Sequence, residues 1–194
     1  MTKKPFHDFL AAENGIAAIE TAFILPLMIL LYFGLVDVTG LISFNRKVTA
    51  SASITADLIA QQRTSILKSQ IVDIYNATSM IMSPTPVGDV RIEVYGYRNI
   101  AGTITQVWKT NNAQGPNCSG AVSTANMLPL MAAGNDVVVT RTCMNFSPYV
   151  ASFMGASVMG STSFAVNSSI TVRPRQTPTL NCYATTVAAG TLCS

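Results

Sequence analysis

The stretch G-I-A-A-I-E-T-A-F-I-L-P-L-M-I-L-L-Y-F-G-L-V-D-V, residues 15–38, decides how the rest of the chain is read. From Ile16 to Val36 it carries one charged residue, Glu20. As a helix rising about 1.5 Å per residue, that run is roughly 30 Å long, which matches the hydrocarbon core of a bilayer. A secretory signal sets a short apolar core ahead of a small-residue cleavage site. Here the order is reversed, because Gly15 precedes the apolar run. The pattern predicts a polar leader over residues 1–15 and a transmembrane helix over 16–37.

Glu20 is costly in that setting. A carboxylate at the bilayer centre costs about 2.5–3.5 kcal/mol on insertion scales, and less near the interface. One reading is an interfacial acid in the first helical turn, where the macrodipole favours it. The other reading uses Gly15. A cut between Gly15 and Ile16 leaves a new α-amino group, cationic near neutral pH, and makes Glu20 the fifth residue. The amine of one chain then neutralises Glu20 of another, and the pair sets axial register between helices.

The wider wording resembles the N-terminus of TadE-like proteins, pseudopilins or minor pilins of bacterial tight-adherence (Flp-type) pilus systems. The residues that carry the resemblance are the small-residue stretch before Glu20, then Phe23 to Pro26, Phe33-Gly34 and Asp37. N-R-K-V-T-A-S-A-S-I-T-A-D-L-I-A-Q-Q, residues 45–62, is similar as well. The resemblance implies cleavage at Gly15–Ile16 by a prepilin peptidase, with Glu20 as the key acid of the mature terminus. It implies a structural subunit rather than an enzyme. Its partners would be membrane lipid, the peptidase, other pilin-like subunits and tight-adherence assembly proteins. Relatives of the major pilin often carry an aromatic residue directly after the Glu, and here that position is Thr21.

Composition limits the alternatives. The chain has 194 residues, room for one anchor and one modest domain. A formal charge of +3, with scattered basic residues, does not suit nucleic-acid binding. The sole histidine is His7, ahead of the span, which removes a His-based active site from the main body. No phosphate loop or G-x-S-x-G occurs. No cofactor and no small-molecule substrate is expected. Asp136 and Arg141 read as a strand start and a solvated face. Tyr95, Tyr97 and Trp108 read as sheet packing, and Met127, Met131, Met144, Met154 and Met159 as core filler.

The four cysteines, Cys118, Cys143, Cys182 and Cys193, form no C-x-x-C pair, so a zinc site is not expected. An even number beyond a membrane span indicates disulfides in an oxidising compartment. Three connectivities are open. Cys118–Cys143 with Cys182–Cys193 is favoured because each bond encloses a turn-rich segment, and buried free thiols are the alternative. Lys3 and Lys4 before the span nearly balance Arg46 and Lys47 after it. The cysteines therefore decide orientation: a single pass through the inner membrane, N-terminus cytoplasmic and C-terminal domain periplasmic.

Beyond Asp37 the pattern turns amphipathic. Leu41, Val48, Ala52 and Ile59 share one helical face, and Arg46, Lys47, Asp57 and Arg63 lie largely off it. A second segment places Leu67, Ile71, Ile74 and Ile81 together and ends at Pro84 and Pro86. Residues 38–83 are thus expected to be an extended amphipathic helical region. After Gly88 the period becomes two. Strands are expected at 91–97, at 103–110 after a turn at 99–102, at 136–144 and at 164–173, with a polar loop over 111–126. The expected fold is α+β, with an antiparallel β domain over 84–176 packed on helix. Residues 177–194 read as a disulfide-tied tail, and the basic Arg173-Pro174-Arg175 either as a contact segment or as an exposed strand-ending turn.

Overall fold

The computed structural model describes residues 14–83, 89–125, 127–155, 161–185 and 191–194. The leader with Lys3, Lys4 and His7, the helix-ending Pro84 and Pro86, and Met159 lie outside the described residues. The chain divides into two compact units, residues 1–40 with 148–162, and residues 41–147 with 163–194.

The fold is α+β. Helix α1, Asn14–Ala60, includes Pro26 and supplies residues to both units. The first unit also holds the short helix α3, Tyr149–Met154. In the second unit, α1 is followed by β1 (Ser65–Leu67), α2 (Lys68–Ile81), β2 (Arg91–Ile100), β3 (Thr103–Asn111), β4 (Asp136–Phe146), β5 (Phe164–Val172) and β6 (Asn181–Tyr183). The main sheet is antiparallel, in the order β3-β2-β4-β5. A separate parallel pair joins β1 to β6.

Each expected strand forms because its alternate residues have an apolar surface to cover. On one face of the sheet Ile92, Val94, Trp108, Val138 and Met144 pack with Val48 and Ile59 of α1 and Ile71 and Tyr75 of α2. The opposite face is also apolar at its centre. There Tyr97, Val137 and Val139 are covered by Met127 and Met131 from the long β3–β4 connection. This second cover explains why β4 is buried on both faces from Asp136 to Met144. Ala101 and Gly102 turn the β2–β3 hairpin, both at positive φ, and Asn99 Oδ1 accepts the Gly102 N–H at 2.9 Å.

Gly96 stands across from Trp108 in the hairpin, beside a register shift at Gly96/Tyr97. The indole lies over the glycine, and a Cβ there would overlap its ring. Trp108 is 2 % exposed, and its Nε1–H donates to Leu180 O at 2.7 Å. Gly96→Ala is therefore expected to lower unfolding stability by about 1–3 kcal/mol, the usual effect of overpacking a filled core. Denaturant unfolding of the full chain in detergent checks this, and an unchanged midpoint refutes the close fit.

The expectations for the helical region and the tail are refined. The two amphipathic segments of 38–83 form, with α1 ending at Ala60 near the expected end at about Gln62, but β1 stands between α1 and α2. The interruption is tertiary: Arg175 N–H donates to Ala60 O at 2.9 Å, and buried Ile66 pairs in register with Cys182. Leu41 is 40 % exposed, whereas Val48, Ala52 and Ile59 are fully buried, so the covered face begins later than the periodicity suggests. Arg173-Pro174-Arg175 follows the end of β5 at Val172 and also makes a contact within the chain, since Arg175 pairs with Asp57 on α1.

Candidate functional site

The site begins with a surface that water does not solvate well. From Ile19 to Leu35 every large apolar side chain of α1 is exposed, Phe23 most of all at 79 %. Among the described residues one helix, over Ala18–Ala60, is long and apolar enough to cross a membrane. An apolar surface of this extent exceeds what soluble monomers present, and it fits lipid or other helices. Glu20 is exposed on this helix, and Pro26 lies within it. Gly15 is exposed with open space around it, in the first helical turn where backbone N–H groups lack intrahelical partners. Thr39 satisfies its hydroxyl inside the helix, donating to Leu35 O at 3.0 Å and Val36 O at 2.9 Å.

Asp37 ends the apolar stretch and is buried. Its Oδ1 accepts the Tyr149 N–H at 2.7 Å, and its Oδ2 accepts the Val150 N–H at 2.8 Å. These are the first two residues of α3, whose leading N–H groups have no partner within their own helix. The sequence marks Asp37 only as the acid after Phe33-Gly34. Its fixing of a segment far along the chain has no signal in the local pattern.

The TadE-like protein family matches residues 15–57. This N-terminal segment is similar to that family. The match covers Gly15, Glu20, Pro26, Phe33-Gly34 and Asp37, the positions on which the resemblance rests, and it leaves the sheet outside. No curated protein and no solved structure matches the chain.

The charged clusters around Glu93, Arg141 and Asp136 in the second unit are satisfied internally. Glu93 Oε1 accepts from Arg91 Nε at 2.8 Å, and its Oε2 accepts the Tyr95 hydroxyl at 2.8 Å. Burial first, then the hydrogen bond to Glu93, pushes the Tyr95 phenol up to about 12, so it remains a donor at neutral pH. Arg141 is buried rather than solvated. It donates to Gly120 O at 2.9 Å and Ser119 O at 2.6 Å, beside the Cys118–Cys143 disulfide. Asp136, expected as a strand start, is also buried. It receives Arg98 Nε at 2.6 Å and Arg98 Nη2 at 2.8 Å. The hydrogen bond to Asp136 holds the Arg98 guanidinium above its ordinary range. The second disulfide, Cys182–Cys193, closes the tail. Among the described residues no cluster of His, Cys, Asp and Glu is placed to hold a metal ion.

Proposed function

We propose that this chain is a prepilin-like, membrane-held structural subunit, of the minor pilin or pseudopilin class, serving a tight-adherence type IV pilus. One observation carries the reading: a TadE-like segment that starts at Gly15 opens with a helical stretch whose large apolar side chains, from Ile19 to Leu35, are all exposed, with Glu20 as the single charge between Ile16 and Val36. Prepilin peptidase cuts Gly15–Ile16. The freed amine of one subunit meets Glu20 of another, and Pro26 adapts the helix to the bundle. The leader faces the cytoplasm. The disulfide-bearing residues lie in the periplasm, where oxidised cysteines persist. Lipid, the peptidase, other pilin-like subunits and tight-adherence assembly proteins are its partners, and assembly rather than catalysis is its work.

Intact-mass measurement of the native protein tests this. A chain starting at Ile16 is the expected result, and a chain starting at Met1 rejects processing. Thr21, in the place where an aromatic often follows the Glu, favours a second reading: an uncleaved, single-pass periplasmic scaffold of the same apparatus. The Met1 start is the outcome that reading requires.

A further inference from the structure

Asp37 follows Val36 directly, at the end of the apolar run of α1. Its carboxylate accepts the Tyr149 and Val150 N–H groups, so it fixes α3 at that end of the run. All three residues belong to the first unit, which groups residues 148–162 with residues 1–40. The chain has six tyrosines. Tyr75 and Tyr97 are buried, and Tyr95 and Tyr183 are half-buried. Tyr32 and Tyr149 alone are exposed, at 65 % and 68 %. Tyr32 lies about 7–8 Å of helix before Asp37, and Tyr149 is the residue whose N–H Asp37 Oδ1 accepts. The exposed tyrosines are thus gathered where the apolar surface stops. The sequence of α3, Y-V-A-S-F-M, carries no charge, and it falls in the longest uncharged stretch of the chain, Thr142 to Val172.

We infer that α3 is a second membrane contact, seated in the headgroup layer where α1 leaves the bilayer, with Tyr149 and Tyr32 as aromatic anchors. The run from Ile16 to Val36 fills a hydrocarbon core of about 30 Å, which puts Asp37 and the start of α3 at its boundary. Tyrosine favours that boundary, because its ring can lie among the upper acyl carbons while its hydroxyl stays among the headgroups. A bare carboxylate would hold water there. Asp37 is buried and both its oxygens accept N–H groups, so lipid can approach α3 without stripping an unpaired acid. The contact sets the depth of the helix. Glu20 lies about 25 Å before Asp37 along α1, so seating α3 in one headgroup layer keeps Glu20 near the other, where a carboxylate costs less. This inference rests on the reading of α1 as a membrane span, and not on cleavage at Gly15 or on pilus assembly.

The test uses the full chain in phosphatidylcholine nanodiscs, one copy per disc. All four native cysteines are in disulfides, so one introduced cysteine takes a fluorophore at a chosen place. Tyr149→Cys reports on α3, Leu35→Cys on the apolar run and Thr105→Cys on the β2–β3 hairpin, all at exposed positions. Lipids bearing a nitroxide just below the headgroup are expected to quench the label at 149 at least about threefold more than the label at 105. Adding Asp37→Ala removes the acceptor of both N–H groups. Quenching at 149 is then expected to fall to the level at 105, with Trp108 fluorescence unchanged as the sign that the sheet is still folded. Quenching at 35 but not at 149 overturns the proposal and leaves the span standing. Quenching at neither position removes the span, and the proposal with it. A label at 149 that is shielded from aqueous iodide yet untouched by the lipid quencher rejects lipid as the occupant and assigns the surface to protein. Undiminished quenching at 149 in the Asp37→Ala background overturns the role given to Asp37.

Discussion

Glu20→Ala is expected to leave the protein in the membrane at normal abundance and to cut its incorporation into the pilus or its assembly complex about tenfold or more. The membrane half of this result follows from transfer energetics. Removing a carboxylate from an apolar helix makes insertion easier, since that group costs about 2.5–3.5 kcal/mol at mid-bilayer. The assembly half follows from what remains. The large apolar side chains from Ile19 to Leu35 are exposed, so they are equally content with lipid tails or with neighbouring helices. Exchanging one for the other is nearly neutral, because no hydrophobic driving force separates two apolar surroundings. A small electrostatic contribution therefore decides docking. Losing an attraction of about 1.4 kcal/mol lowers occupancy tenfold, and a pair in an apolar bundle exceeds that value readily. Glu20→Gln separates charge from shape and is expected to behave like the alanine variant. Quantitative blotting of membrane and sheared-pilus fractions reads both outcomes. Full incorporation of the uncharged variants would falsify the register mechanism while leaving membrane anchoring untouched.

The parts of this molecule that were legible in its sequence are those whose signal is local. The helix announces itself at Gly15 because a long apolar run with one acid allows few other structures. The antiparallel strands announce themselves through alternation, and Ala101-Gly102 through a turn between two such runs. What stayed hidden depends on partners that arrive from elsewhere in the chain. Ser65–Leu67 looked helical because nothing nearby reveals Asn181–Tyr183, its parallel partner. Asp136 and Arg141 looked solvated because charges in a strand usually are. Their burial is possible only because Arg98, the tail backbone and the Ser119-Gly120 carbonyls come to meet them. The same division runs through the site. Gly15, Glu20 and Pro26 were singled out by their place in the apolar run together with the TadE-like resemblance, whereas the binding of Asp37 to α3 needed the fold. So did the order β3-β2-β4-β5, which no alternation pattern contains.

Asp136→Ala is expected to destabilise the sheet unit by about 3–5 kcal/mol, the range for removing one partner of a buried ion pair. Three donors converge on this carboxylate. Arg98 supplies two, and the Leu180 N–H reaches Oδ2 at 2.8 Å. Asp136 itself is 3 % exposed, and its own N–H donates to Pro178 O at 2.6 Å. The carboxylate therefore neutralises a cation and also fastens the tail that runs into β6. Without it, Leu180 keeps a buried N–H with no acceptor, which costs about 1–3 kcal/mol by itself. The Arg98 side chain is 25 % exposed and recovers some hydration, which sets the expectation toward the lower part of the range. Asp136→Asn keeps the shape and one good acceptor, so about half the loss is expected. Trp108 provides the local readout. It is the single tryptophan of the chain, and its Nε1–H bonds to Leu180 O, on the same residue whose N–H is orphaned. In Asp136→Ala its fluorescence is expected to shift toward that of a solvated indole at denaturant concentrations where the wild-type sheet is still folded. Hydrogen exchange at Leu180 should accelerate in parallel. If the unfolding midpoint and the Leu180 protection both stay at wild-type values, the tail is held by the Cys182–Cys193 loop and the Trp108 contact, and the carboxylate is dispensable.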